Sequence, residues 1–180
     1  MDPIFLVIGP PAVGKSTTSR GLASRFAKGL HIPVDDLRNM VAAGLVLPGA
    51  NWSDDLTQQI TLARESAVHM ALAYHSAGFA VAIDDFWGPN FKSDYQPLFD
   101  HPQVRKIVLL PDQDKAHQRN LQRSGESPAR AYIDDGIRTV YSFLIPALPQ
   151  LSQEGWVILD TTDLSLEQTV NAIFEMGQSA

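Results

Sequence analysis

The chain has 180 residues, 44% of them hydrophobic and 19% charged, with a formal net charge of −6. That length suits one compact domain spanning residues 1–180, and the acidic balance disfavours broad nucleic-acid binding, which needs a basic surface. Cysteine is absent, which excludes disulfides, thiolate metal sites and cysteine nucleophiles. Met1-Asp2-Pro3 is not a basic leader, and the apolar run behind it is too short for a signal peptide or a membrane span, so the expectation is a cytoplasmic protein without a membrane partner.

The first predicted element is a buried strand, Ile4–Ile8. It runs into Gly9-Pro10-Pro11-Ala12-Val13-Gly14-Lys15-Ser16, which fits the P-loop pattern Gly-x-x-x-x-Gly-Lys-Ser, and then into a helical segment, Lys15 to Phe26. The strand before and the helix after matter more than the pattern. A helix start offers unpaired N–H groups and a positive dipole end, which together hold phosphate. Residues Gly9 to Thr17 are therefore expected to bind a nucleoside triphosphate, taken as ATP. Lys15 would reach its β and γ phosphates, and Ser16 would ligate Mg²⁺.

A second strand, Leu30–Val34, leads into Asp35-Asp36-Leu37-Arg38. Ligands of parallel sheets sit at the carboxyl ends of the strands, so Asp35 should share a crevice with the P-loop. A carboxylate there can accept the proton of an attacking hydroxyl, and Arg38, one turn later, can hold the acceptor. The competing reading makes these acids helix caps and Arg38 a surface charge. Trp52 then precedes the clearest helix, with Ser53 as its N-cap and Leu56, Ile60, Ala63, Ala67, Met70, Ala71 and Tyr74 on one apolar face. Gly78 marks its end.

The third strand, Ala80–Ile83, closes on Asp84-Asp85. An apolar strand ending in an acid is the Walker B arrangement, in which a carboxylate serves Mg²⁺. Which acid does so is open from the pattern. The working assignment gives the metal to Asp84 and the acceptor to Asp85, with Trp87 beside it. Trp52 and Trp87 can stack on a flat acceptor or pack locally. Asp85-Phe86-Trp87-Gly88 also fits the short Asp-x-x-Gly of GTPase switches, but no Asn-Lys-x-Asp guanine motif accompanies it.

After the fourth strand, Val104–Leu110, come Arg119, Arg123 and Arg130 around Ser-Gly-Glu-Ser-Pro. Arg119 and Arg123 share a helix face. A lid over residues 119–130 would close these cations on the transferring phosphoryl group and exclude water. Pro146 and Pro149 are expected to end or kink the following helix. A fifth strand, Trp156–Asp160, precedes a last helix that opens with the capping box Ser165…Gln168. The five histidines lack metal-ligand spacing and read as structural or surface residues. Five strands joined by helical crossovers make a three-layer α/β/α sandwich around a parallel sheet, with each strand apolar on both faces.

These residues resemble known families. Gly9–Thr17, Asp35-Asp36-Leu37-Arg38, Arg119-Asn120…Arg123 and Ile137-Arg138…Tyr141 are similar to the kinase domain of phage-type polynucleotide 5′-kinases. That resemblance implies a catalytic role for Asp35, acceptor binding by Arg38, and a lid arginine at Arg123. Gly78 to Asp85 and Asp160-Thr161-Thr162…Ser165-Leu166-Glu167 resemble chloramphenicol phosphotransferase, which also places its catalytic aspartate at Asp35 and implies that Thr161 and Thr162 lie near the adenine. Small P-loop kinases of the shikimate, gluconate and zeta-toxin types share the shorter motifs. Together they imply a nucleoside-monophosphate-kinase-like P-loop fold with sheet order 2-3-1-4-5. Ala12 stands where polynucleotide kinases usually carry glycine, and Met40–Trp52 matches neither family. The expected activity is ATP-dependent transfer of a phosphoryl group to a small-molecule hydroxyl. The alternatives are a polynucleotide 5′-hydroxyl kinase and an ATP-binding regulator or weak ATPase.

Overall fold

The computed structural model describes residues 2–48, 52–88 and 90–176, so positions 49–51 of the unmatched Met40–Trp52 segment lie outside it. In chain order the elements are β1 (Ile4–Ile8), α1 (Lys15–Ala23), β2 (Gly29–Pro33), α2 (Val34–Asn39), α3 (Asp54–Ser76) and β3 (Ala80–Asp85). There follow α4 (Phe91–Asp94), α5 (Gln96–Phe99), β4 (Val104–Leu109), α6 (Gln113–Ser124), α7 (Pro128–Gln153), β5 (Val157–Leu159) and α8 (Leu166–Met176). All pairings are parallel, in the order β2-β3-β1-β4-β5. This is the three-layer α/β/α arrangement expected from the motifs.

The period-2 alternation of β1 decides the layering. Ile4, Leu6 and Ile8 enter one core with Ala63, Ala67 and Ala71 of α3, Phe91 and Tyr95, and Leu144 and Leu151 of α7. Phe5 and Val7 enter the other with Leu22 of α1, Ala116 of α6, Ile137 and Tyr141 of α7, and Val170 and Ile173 of α8. Because β1 is central, every one of its residues is buried, and so is every residue of β3. The expectation that all five strands are apolar on both faces needs correction. The edge strands β2 and β5 are only partly covered, and Arg105 and Lys106 occupy the half-buried start of β4.

Local signals hold at the helix ends. Ser53 Oγ accepts from the Leu56 N–H at 3.2 Å, capping α3. Gly78 sits at φ +82°, a left-handed conformation that suits glycine just past a helix. Ser165 and Gln168 form the reciprocal box: the Ser165 N–H donates to Gln168 Oε1 at 2.8 Å, and the Gln168 N–H donates to Ser165 Oγ at 3.2 Å. Of the two effects expected of the prolines, termination does not occur. α7 does not end at Pro146 or Pro149 but continues to Gln153. Both prolines are exposed, as are Ser142 and Ile145, whose carbonyls the prolines deprive of a helical donor and which water can satisfy.

Candidate active site

The P-loop is shaped by contacts that exclude side chains. A Cβ on Gly9 would stand 2.4 Å from the carbonyl oxygen of Leu109, so only glycine lets β1 turn this close to β4. Gly14, at φ +97°, is the left-handed N-cap of α1. Ala12 takes φ +63°, the one place in the loop where an L-residue carries the conformation that glycine tolerates best. Lys15 follows and donates from Nζ to the Pro10 carbonyl at 2.8 Å. Burial lowers the pKa of this ammonium, and the carboxylates of Asp84, Asp35 and Asp85 pull it back up, while Arg123 adds to the lowering. Residues far apart in the chain thus converge on Lys15.

Ser16 Oγ donates to Asp84 Oδ1 at 2.8 Å, joining the P-loop to the end of β3. A hydroxyl and a carboxylate at one point are hard oxygen donors of the kind Mg²⁺ takes, with phosphate and water completing its octahedron. Among the described residues no group of three or more His, Cys, Asp or Glu could hold a metal by itself, so phosphate oxygens would have to share the coordination.

Asp85 is placed otherwise. Being next along the strand it leaves on the opposite face. Its Oδ2 accepts from Arg64 Nε at 2.7 Å and from the Tyr95 hydroxyl at 3.1 Å, and its Oδ1 accepts from the Phe86 N–H at 2.7 Å. Arg64, fully buried, also reaches Asp94 at 3.0 Å and stacks near the rings of Phe86 and Phe91. Burial raises the Asp85 carboxyl pKa against the pull of Arg64, and lifts the Tyr95 hydroxyl well above its ordinary value. The structure therefore builds Asp85 into a buried ionic cluster rather than an acceptor surface.

Asp35 lies in the first turn of α2, just past the end of β2, and is largely exposed. Arg38 pairs with it at 3.4 Å yet is itself buried, and among the described residues its Nε has no hydrogen-bond partner. Tyr132 of α7 feels both charges. Its hydroxyl pKa is raised by partial burial, with Arg38 opposing and Asp35 reinforcing the shift.

The arginines of the expected lid divide. Arg119 donates to the carbonyls of Val13 at 3.3 Å and Thr161 at 2.8 Å, tying the P-loop to the segment after β5. Arg123 is exposed near the end of α6, and Arg130 is engaged by Glu126 and Asp134. Beside Arg119 is a cavity of about 280 Å³ lined by Val13, Gly14, Thr17, Thr18, Thr161 and Leu166, among others. The buried Thr161 Oγ1 lacks a partner among the described residues. Thr162 is occupied: its hydroxyl bonds Asp160 at 2.6 Å and accepts from the Asp112 N–H at 2.8 Å. A larger cleft of about 380 Å³ follows the N-terminal part of α7 and is lined by Glu126, Ser127 and Arg130 of the expected lid, among others, but not by Lys15, Asp35 or Arg123.

The two tryptophans have local partners. Trp52 donates from Nε1 to Thr57 Oγ1 at 2.7 Å with part of its ring exposed. Trp87 packs 5.0 Å from Phe91. Two polar residues near the site escaped the sequence reading. Arg64 could have been noticed as a charge on the apolar stripe of α3, four residues after Ile60. His31 could have been noticed by strand parity: it shares a face with Pro33, which pairs with Asp84, and its Nε2 lies 2.5 Å from Asp84 Oδ2.

The sheet order, the P-loop between β1 and α1, and the acids at the strand ends define a P-loop kinase-like domain. A family model described as an AAA domain matches residues 4–140, and the chain belongs to that family. Solved structures with the same fold include a sugar kinase from Janibacter sp. HTCC2649 (TM-score 0.63, 18% identity, 97% of this chain and 94% of that one). A shikimate kinase from Bacteroides thetaiotaomicron is similar at TM-score 0.62 and 17% identity, covering 97% of this chain and 98% of that one. A tunicamycin resistance protein from Deinococcus radiodurans is similar at TM-score 0.61 and 14% identity, covering 97% and 95%. No curated protein matches the chain. Among the described residues no helix is long and apolar enough to cross a membrane.

Proposed function

We propose that the protein is an ATP-dependent phosphotransferase that moves the γ-phosphoryl group to a hydroxyl of a small molecule of antibiotic, sugar or nucleoside type. The observation that carries this reading is the hydrogen bond from Ser16 Oγ to Asp84 Oδ1 at 2.8 Å, which joins the P-loop to the acid end of β3; the charges of Asp35 and Arg123 also act on Lys15. In this reading the P-loop N–H groups and Lys15 cradle the triphosphate, and Ser16 and Asp84 are the protein's share of a Mg²⁺ site. Mg²⁺ held by Ser16 and Asp84 would neutralise charge developing on the phosphates. Thr161 and Arg119 border the cavity for the base.

Asp35, exposed beside the P-loop, accepts the proton of the acceptor hydroxyl as its oxygen bonds to the γ-phosphorus and the bond to the β-phosphate oxygen breaks. Arg38, whose Nε has no partner among the described residues, and Tyr132 would face the acceptor. Arg123 offsets charge on the transferring group. Two of the similar solved structures are described as a sugar kinase and a shikimate kinase, which favours a small-molecule acceptor.

An acceptor panel of sugars, antibiotics, nucleosides and 5′-hydroxyl oligonucleotides, read by ADP release, tests the reading. One small-molecule acceptor should stimulate turnover, and Asp35→Asn should cut kcat on it by about 10²- to 10⁴-fold while ATP affinity holds. Stimulation by oligonucleotides alone would instead make the protein an end kinase. Flat turnover across the panel would make it a nucleotide-binding regulator.

A further inference from the structure

His31 occupies the middle of edge strand β2, yet its side chain is only 10% exposed. The parallel register explains why. Pro33 stands opposite Asp84 and His31 opposite Ala82, so His31 lies on the same face of β2 as the residue facing Asp84. An imidazole is long enough to cover the two-residue offset. Its Nε2 meets Asp84 Oδ2 at 2.5 Å, while the other carboxylate oxygen, Oδ1, accepts from Ser16 Oγ at 2.8 Å.

A carboxylate turns easily about its terminal torsion unless both oxygens are held. Here one oxygen is held from the P-loop and the other from β2. We propose that His31 is a positioning residue for the metal-binding carboxylate: it grips Oδ2 of Asp84 so that Oδ1 stays aimed at Ser16 when a divalent cation enters. In this proposal the Nε2–H tautomer donates to the carboxylate, a short contact in a nearly dry place. Without it, Asp84 would sample orientations in which neither oxygen faces the P-loop serine, and the cation would lose a preorganised donor. The proposal rests on the reading of Ser16 and Asp84 as the protein's share of a Mg²⁺ site.

Mn²⁺ is the probe, titrated into the protein saturated with a non-hydrolysable ATP analogue and followed by electron paramagnetic resonance. The wild-type chain is expected to bind Mn²⁺, and Asp84→Asn to bind it much more weakly. His31→Ala should weaken Mn²⁺ by about 10- to 100-fold, the range typical when a partner behind a metal ligand is removed. His31→Gln, whose side-chain amide can donate to the same oxygen, should recover most of that loss. Affinity for the analogue without metal should be the same in all four proteins.

Wild-type Mn²⁺ affinity in His31→Ala overturns the proposal. So does a loss that His31→Gln fails to recover, or one matched by an equal loss of metal-free analogue binding, since either would mark His31 as packing alone. Unchanged Mn²⁺ binding in Asp84→Asn would instead remove the Ser16–Asp84 reading, and this inference with it.

Discussion

Arg64 shows how a single side chain divides the site from its support. Its guanidinium is surrounded by Asp85, Asp94, the Phe86 carbonyl and three aromatic rings, with no exposed surface. Burial opposes its charge, but Asp85, Tyr95 and Asp94 hold its pKa above the ordinary arginine value, so it remains a cation. Replacing one member of such a cluster leaves the others charged and unpaired in a dry interior. Arg64→Met is expected to cost about 3–5 kcal/mol in urea unfolding. Repeating it in an Asp85→Asn/Asp94→Asn background should cost markedly less, because two of the stranded charges are then gone. A loss of the same size in both backgrounds would mean that packing, not charge, dominates at this position.

At the scale of elements, the helix pair α6 and α7 has its own acid-sensitive joint. Asp134 on α7 accepts from Asn120 at 2.9 Å and pairs with His117 at 2.7 Å, both on α6. The Asn120 and His117 bonds hold its carboxyl below the ordinary value of 3.8. A depressed carboxylate contributes stability that is present above its unfolded pKa and is lost as pH falls through the folded one. Protection from hydrogen exchange across residues 113–138, relative to intrinsic rates at the same pH, should therefore fall below about pH 4, ahead of the central strands, and Asp134→Asn should remove most of that pH dependence. Equal protection of these helices and β1 throughout the acid range would contradict it.

What was legible in the sequence follows the same scale. The P-loop, the Ser53 cap and the Ser165–Gln168 box are recognisable because their partners lie within a few residues. The Arg64–Asp94 pair spans 30 residues and the His31–Asp84 contact 53, so only the packing of α3 on α4 in the first case and the β2–β3 register in the second bring them together. Pro146 and Pro149 do not end α7, because the apolar residues from Ile137 through Leu144 to Leu151 keep it seated across both of them.

For the molecule as a whole, α7 is a clasp between layers. Tyr141 donates its hydroxyl to the Pro111 carbonyl at 2.6 Å, just past β4. Burial, reinforced by Asp112 and opposed by Arg119, pushes its pKa from 10.0 to about 12. A raised pKa means that the folded chain keeps its proton where the unfolded chain has lost it. This share of stability is intact below pH 10 and disappears as pH climbs to about 12. Urea midpoints of Tyr141→Phe should decline less steeply over that interval than those of the wild type, and parallel declines would refute the assignment.

The acid pair closing β3 has a further consequence for genetics. One peptide bond separates a carboxylate bonded to the P-loop serine from one locked to Arg64. In a mutational scan scored by product formation alone, positions 84 and 85 will look equally intolerant for unrelated reasons. Soluble yield and melting temperature separate them: Asp84→Asn should accumulate as a folded, inactive protein, whereas Asp85→Asn should be scarce and melt early. Intolerance to substitution at adjacent positions is, in this protein, the shared outcome of two different losses, one of chemistry and one of folding.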